Sequence, residues 1–378
     1  MRNSPVSRGG KGSGMRLDLS HFQVIDTHCH FFNVEYQEHN LAKTLTMSLN
    51  EVPEEDMRRT LGYRKMLKEL KAFLRVEGAE RDILAERKRR MEEDYRQYVA
   101  GLFKDACIDT LIIDTGYNPP GSSYEAFEEF VPAKVRYVYR IETVLDEVWK
   151  EKLSFDKAEE RFCLALDEAF GSLDVVALKS IIGYRTGLHV KEVNRDDLVH
   201  GNHSEKKFRD YFFLRAVEKT MEMGCPMQVH TGFGESNIDL LANNPFLLKG
   251  FLDNPKYEGS NIIFLHGCYP YSFEAGYLAN VYPNVYLDLS EINLLTPYGF
   301  RQGIRRILEM CPLSKVMYGS DGFTVPEAHW IGAKVAKEEL AYLFSIYIDD
   351  GLFDESDALA AAKMILFETS KKLYHLAE

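Results

Sequence analysis

Eight short β-rich runs, each followed by a stretch able to form a helix, constrain this chain more than any other feature of its sequence. They are VIDTHCH (24–30), TLIIDTG (110–116), KVRYVYRIE (134–142), VVALKSIIGY (175–184), PMQVHTG (226–232), NIIFLHG (261–267), NVYLDLS (284–290) and KVMYGSDG (315–322). Strands that alternate with helices pair in parallel, since each crossover returns the chain to the same end of the sheet. Eight such units in 378 residues predict an α/β fold, a (β/α)8 barrel, rather than an open doubly wound sheet. The open sheet would want a glycine-rich phosphate loop after its first strand, and here that place holds His28 and His30.

Between the first and second runs, residues 35–104 read as an inserted set of amphipathic helices. Leu61, Met66, Leu67, Leu70 and Leu74 recur near helical spacing, as do Ile83, Leu84, Met91, Tyr95 and Val99. The mixed run Glu86–Arg90 reads as a solvated helix face rather than a nucleic-acid patch. The opening MRNSPVSRGGKGSGM, rich in Gly, Ser and Arg, reads as a flexible leader or tag over residues 1–20, with Met15 as a candidate start. Residues 21–378 would then be a single barrel domain.

Composition narrows the partners. A formal net charge of −12, with no basic cluster, gives no electrostatic footprint for nucleic acid or anionic lipid. No apolar run approaches the roughly 20 residues that span a bilayer, and no signal-peptide core is present; a cytoplasmic enzyme acting on a small molecule is expected. The six cysteines are scattered without ribbon or scaffold spacing, and Cys29, between the two histidines, should point away from them.

In such a barrel, chemistry sits at the C-terminal ends of the strands. Reading only those ends gives His28 and His30, two residues apart and so on one side of strand one, then Lys179, His230, His266 and Asp321. Imidazoles and a carboxylate suit a divalent ion, Zn most of all, with Mn or Fe as alternatives. Lys179 has two readings: a carbamate bridging two ions, or an ordinary cation on a carboxylate such as Asp321.

HCH, LKS, QVHTG, FLHG and GSD together resemble the amidohydrolase superfamily. LKSIIGYRTGL, HTGFGESNIDL, FLHGCYPY and RRTLGYRKMLKEL resemble more narrowly its amidohydrolase-related branch, found as the N-terminal domain of fungal and plant proteins fused to a glutamine-synthetase-like domain. The likeness runs from about residue 22 to 376, and ETSKKLYHL departs from that branch's Asn-Ala pair. The resemblance implies one or two ions on His28, His30, Lys179, His230, His266 and Asp321, with Lys179 carboxylated in the two-ion case. It also implies water activated there to attack a carbonyl carbon, with Asp321 moving the proton and His266 ligating or polarising the substrate.

Arg185 is a candidate carboxylate anchor. Arg140 and Glu142 are expected as a rim ion pair, Glu235 or Asp239 as a loop contact to substrate, and Tyr269 and Tyr271 as pocket walls. His329 is read only as a helix-start residue. The favoured function is hydrolysis of a C–N or ester bond in a small carboxylated metabolite. Decarboxylation of an aromatic or unsaturated acid and a non-catalytic binding barrel are the alternatives. The helical insert is the expected contact in a homodimer.

Overall fold

The computed structural model describes residues 17–119, 123–200 and 204–377. Its centre is one eight-stranded sheet: β1 (Val24–Cys29), β2 (Ile108–Asp114), β3 (Lys134–Arg140), β4 (Val175–Ser180), β5 (Met227–Val229), β6 (Ile262–Phe264), β7 (Val285–Asp288) and β8 (Val316–Met317). Each strand pairs in parallel with the next in sequence. The expected barrel is therefore present, although β5, β6 and β8 are only two or three residues long.

Closure between β8 and β1 is made by the backbone that follows β8. Thr27 N–H donates to the Tyr318 carbonyl (3.1 Å), Asp321 N–H to that of His28 (2.8 Å), His30 N–H to that of Gly322 (2.7 Å) and Thr324 N–H to that of Phe31 (3.0 Å). The last turn of this seam is left-handed at Asp321 (φ 56°) and Thr324 (φ 60°).

Two apolar clusters follow from the strand period. Ile25, Ile112, Val138, Ala177, Ile263 and Met317 fill the barrel interior, and Leu373 and Tyr374 join this cluster. A larger shell joins the outer strand faces to the helices. Cys29 belongs to that shell, turned away from the histidines as its odd position requires.

Helices α1 (Glu54–Arg58), α2 (Leu61–Leu74), α3 (Glu80–Glu93) and α4 (Tyr95–Ala106) lie between β1 and β2, as the apolar spacing predicts. Thr60 caps α2 by accepting from Tyr63 N–H, and Asp94 caps α4 by accepting from Gln97 N–H. Tyr63, Met66, Leu70 and Leu74 form the buried stripe of α2. The insert is tied to the long helix Pro326–Asp349 by a buried ion pair, Arg87 with Glu327, whose same carboxylate oxygen accepts from Tyr98 Oη.

The segment read as a leader covers residues 1–20. Residues 1–16 lie outside the described residues, but Leu17 and Leu19 are buried, and Leu17 N–H donates to Ser345 Oγ. An apolar residue on either side of Asp18 docks this stretch on the long helix, so the packed chain begins before residue 21.

Candidate metal centre

The strand ends bring most of the predicted ligands together. His28 and His30 present their Nε2 atoms to the same oxygen, Asp321 Oδ1, at 3.1 and 3.2 Å. His266 Nε2 lies 2.9 Å from His230 Nδ1, and the His28 and His266 rings are 5.7 Å apart. Among the described residues, two sets of three have ligand atoms close enough for one ion: His28, His266 and Asp321, and His28, His30 and Asp114. His230 enters neither set but stands directly behind His266.

Asp114, at the end of β2, was within sequence reach. It terminates an apolar strand as the other candidates do, inside TLIIDTG, yet its role emerges only from its neighbours. Lys179 Nζ lies 2.8 Å from Asp114 Oδ2, and Arg140 grips the same carboxylate with Nε and Nη2. Lys179 thus pairs with Asp114 rather than Asp321. The Arg140 to Glu142 ion pair is likewise absent: neighbouring strands β2 and β3 place Arg140 on Asp114, while Glu142 is buried and accepts from Ser180 Oγ.

Electrostatics leave the buried imidazoles unprotonated and the Asp321 carboxyl ionised. Burial, then the Lys179 ammonium, lower His28 to about 4 and His230 to about 3; burial, then His230, hold His266 well below its usual range. All three are neutral imidazoles near pH 7, the form that ligates metals. Burial alone would raise Asp321, but hydrogen bonds from His28 and His30 keep its carboxyl well below the ordinary carboxylate range.

Hydrogen bonding among the protein groups alone is in conflict at His28. His28 Nε2 faces a donor, Lys179 Nζ at 2.8 Å, and an acceptor, Asp321 Oδ1 at 3.1 Å. A neutral ring nitrogen answers only one of them, and the buried Nδ1 atoms of His28 and His30 have no partner. A divalent ion taking the Nε2 lone pairs of His28 and His30 beside the Asp321 carboxylate would remove the competition at Nε2, so these residues fit the metal that the sequence implies.

Loops complete the site. Ser290 Oγ bridges His266 Nδ1 (2.9 Å) and the buried Asp288 carboxylate, which also accepts from Thr27 Oγ1 (2.6 Å). Glu291 sits at φ 65°, its Oε2 3.5 Å from His266 Nδ1 and without a hydrogen bond. Burial, then the Asp321 charge, raise its carboxyl well above the usual range. Strained left-handed residues gather at this rim, namely His266, Cys268, Glu291, Asp321 and Thr324, as expected where backbone strain serves a site.

His329 is more than a helix-start residue. It is fully buried on the Pro326–Asp349 helix, and its Nε2 donates to the His30 carbonyl (3.0 Å). A Cβ on Gly322 would lie 2.7 Å from its ring, so glycine is needed there.

Two joined cavities open above the strand ends. The first, about 240 Å³, is lined by Lys179, Tyr184, Arg185, His230, Asn237 and His266; the second, about 190 Å³, by Thr46, Met47, Tyr117, Leu294, Leu295 and Phe323. His30, Arg140, Glu235, Glu291 and Asp321 line both. A larger cleft, about 380 Å³, beside Leu17–Ser20 contains none of these groups, so size does not mark the site.

Among the candidate substrate contacts, Arg140 and Glu235 reach the cavities, Glu235 accepting from Tyr184 Oη. Arg185 lines the first, but its guanidinium is held by Asp146 (2.7 Å). Asp239 instead caps a turn through Leu241 N–H. Tyr269 packs on Phe233 and Tyr271 Oη donates to the Leu240 carbonyl; neither lines the two cavities.

No helix among the described residues is long and apolar enough to cross a membrane. The sequence model of the family described as Amidohydrolase matches residues 157–376. Protein fluG of Emericella nidulans is 31% identical over 246 residues, 59% of this chain but only 28% of that protein, so the chain spans about a quarter of this relative's length. A candidate metal-dependent hydrolase solved from Lactobacillus casei superposes with a TM-score of 0.83 at 28% identity, covering 95% of this chain and 98% of that one. A uronate isomerase from Bacillus halodurans shares the fold alone, with TM-score 0.68 and 11% identity over 95% and 94% of the two chains. With a family match over more than half its length and the His and Asp cluster at its strand ends, the chain belongs to the amidohydrolase superfamily, amidohydrolase-2 branch, as a metal-binding enzyme.

Proposed function

We propose that the protein hydrolyses a C–N or ester bond of a small carboxylated metabolite, using one or two divalent ions, Zn foremost. The observation that carries this reading is the convergence of His28, His30, His266 and Asp321 beside a cavity that the last three line. A divalent ion held there would acidify a water molecule and polarise a carbonyl.

The chain's own groups would do the rest. Asp321, with Oδ1 in the ligand cluster and its backbone fixed to β1, takes a proton from the attacking water and hands it to the leaving amine or alcohol. Lys179 and Arg140 keep Asp114 ionised against burial and make that wall of the cavity net cationic, suited to a substrate carboxylate. Ser290 and Asp288 fix the ring of His266, as outer-shell partners of ligating histidines do.

Metal content measured on wild type and His230→Ala, followed by an amide and ester screen of the loaded enzyme, tests the reading. One or two ions per chain in the wild type, less in the variant, and cleavage of at least one compound are expected. Full metal and full activity in His230→Ala would remove His230 from the centre. Release of CO2 from aromatic acids, with no amide or ester cleaved, would replace hydrolysis by decarboxylation.

A further inference from the structure

The two cavities above the strand ends differ in chemistry. Apart from the residues they share, the first is lined by Lys179, Arg185, His230, His266, Asn237 and Tyr184, all polar or charged, with only Leu49 and Ile181 apolar. The second takes every one of its ionisable lining groups except the Tyr117 phenol from the shared wall. Its remaining surface is Met47, Leu294, Leu295, Phe323, the Tyr117 ring and two threonines.

That apolar surface is assembled from four segments: the stretch after β1, the loop after β2, the short helix Ile292–Leu295 after β7, and the loop after β8. Its geometry is fixed locally. The Tyr117 ring meets Phe323 edge-on at 6.3 Å and Tyr117 Oη bonds Thr324 Oγ1 at 3.0 Å. Leu294 is buried, and Phe323 is half-buried.

We infer that the substrate is amphipathic. Its carboxylated half occupies the polar lobe, and an aromatic ring, or an aliphatic group of that size, occupies the lobe of about 190 Å³ walled by Met47, Leu294, Leu295 and Phe323. An apolar cavity of about 150 Å³ holds benzene, so one ring fits. The wall common to both lobes carries His30 and Asp321, which places the bond to be cleaved between the two halves. This inference rests on the hydrolase reading for its chemistry. Water adds its OH to the acyl carbon and its proton to the departing nitrogen or oxygen, with no oxidant or reductant required.

Binding separates the two ideas. Zinc-loaded protein is titrated calorimetrically with benzylsuccinate and with methylsuccinate, which carry the same two carboxylates and differ only in the ring. At least tenfold tighter binding of benzylsuccinate is expected, since even one methylene in an apolar pocket is worth about tenfold or more. Leu295→Asp should reduce that ratio toward one, and Met47→Asp serves the same purpose should the first variant not fold. Equal affinities, no binding of either probe, or a ratio unchanged in a folded variant would overturn the inference. A clear benzyl preference alongside an enzyme that cleaves no amide or ester would leave the lobe standing and bring down the hydrolase reading instead.

Discussion

The metal centre has two sides built on different physics. On the side that runs from β8 through β1 to β4, charges meet: Asp114 pairs with the Lys179 and Arg140 cations, Asp321 faces His28 and His30, and backbone hydrogen bonds of the barrel seam fix the geometry. On the β5, β6 and β7 side, the neutral imidazoles of His230 and His266 stand in one hydrogen-bonded chain, from the Phe233 carbonyl through both rings to Ser290 and the Asp288 carboxylate. The first side sets net charge and holds Asp321, the carboxylate proposed to move the proton; the second orients rings. Breaking the first should abolish chemistry, whereas breaking the second should weaken it.

The sharpest test of that contrast is Asp321→Asn. Loss of the general base should lower kcat by about 10²- to 10⁴-fold, measured on any substrate the screen yields. A variant near wild type would move proton transfer to the other side. Next comes Lys179→Ala, with metal counted by elemental analysis after growth with bicarbonate. A fall from two ions to one marks Lys179 as a bridge, while an unchanged count leaves it as the cation that pairs with Asp114.

His329→Leu should weaken metal binding by about 10- to 100-fold through the His30 carbonyl, with His329→Gln restoring much of it. Cobalt titration followed by visible absorption reads this without activity. The same residue makes a pH prediction for the metal-free protein. Burial lowers the folded His329 to about 4 against an unfolded value of 6.5. The folded state therefore binds fewer protons between those values, and stability rises with pH there. That contribution is complete above about pH 6.5 and is lost as pH falls toward 4, about 3 kcal/mol at most. Urea melts of wild type and His329→Gln across pH 4–7 should show a shallower acid limb in the variant.

Ser290→Ala should have the smallest effect, no more than about tenfold in metal affinity, because His266 retains its place just after β6 and its contact with His230. A loss as large as that of Asp321→Asn would erase the distinction between the two sides.

Much of this was readable from sequence for one physical reason: a polar residue ending an apolar parallel strand has only the rim to occupy. His28, His30, Lys179, His230, His266 and Asp321 were visible that way, and Asp114 met the same criterion. What escaped depends on pairing and loop conformation. Arg140 bonds Asp114 because β2 and β3 are neighbours in register, which sequence spacing within β3 does not reveal. Glu291 reaches the cavity from a left-handed residue after β7, a conformation ordinary side chains rarely take, so no periodicity announces it. His329 acts on a backbone carbonyl 299 residues away, and nothing local signals that bond.

The seam has a consequence for how the molecule is made. Its bonds join the residues around His28 to those around Asp321, so the principal ligand cluster unites the ends of the first and the last strand in the sequence. Such distant contacts form late, because the closure entropy of the whole intervening chain must be met first. An incomplete barrel, however well paired from β1 to β7, would lack Asp321 and hold the ion poorly. Metal would then favour only the closed state and add to its stability in proportion to the logarithm of free metal over Kd. Cation uptake during refolding would report the joining of β8 to β1, making the ion a sensor of the fold's final step as well as a participant in catalysis.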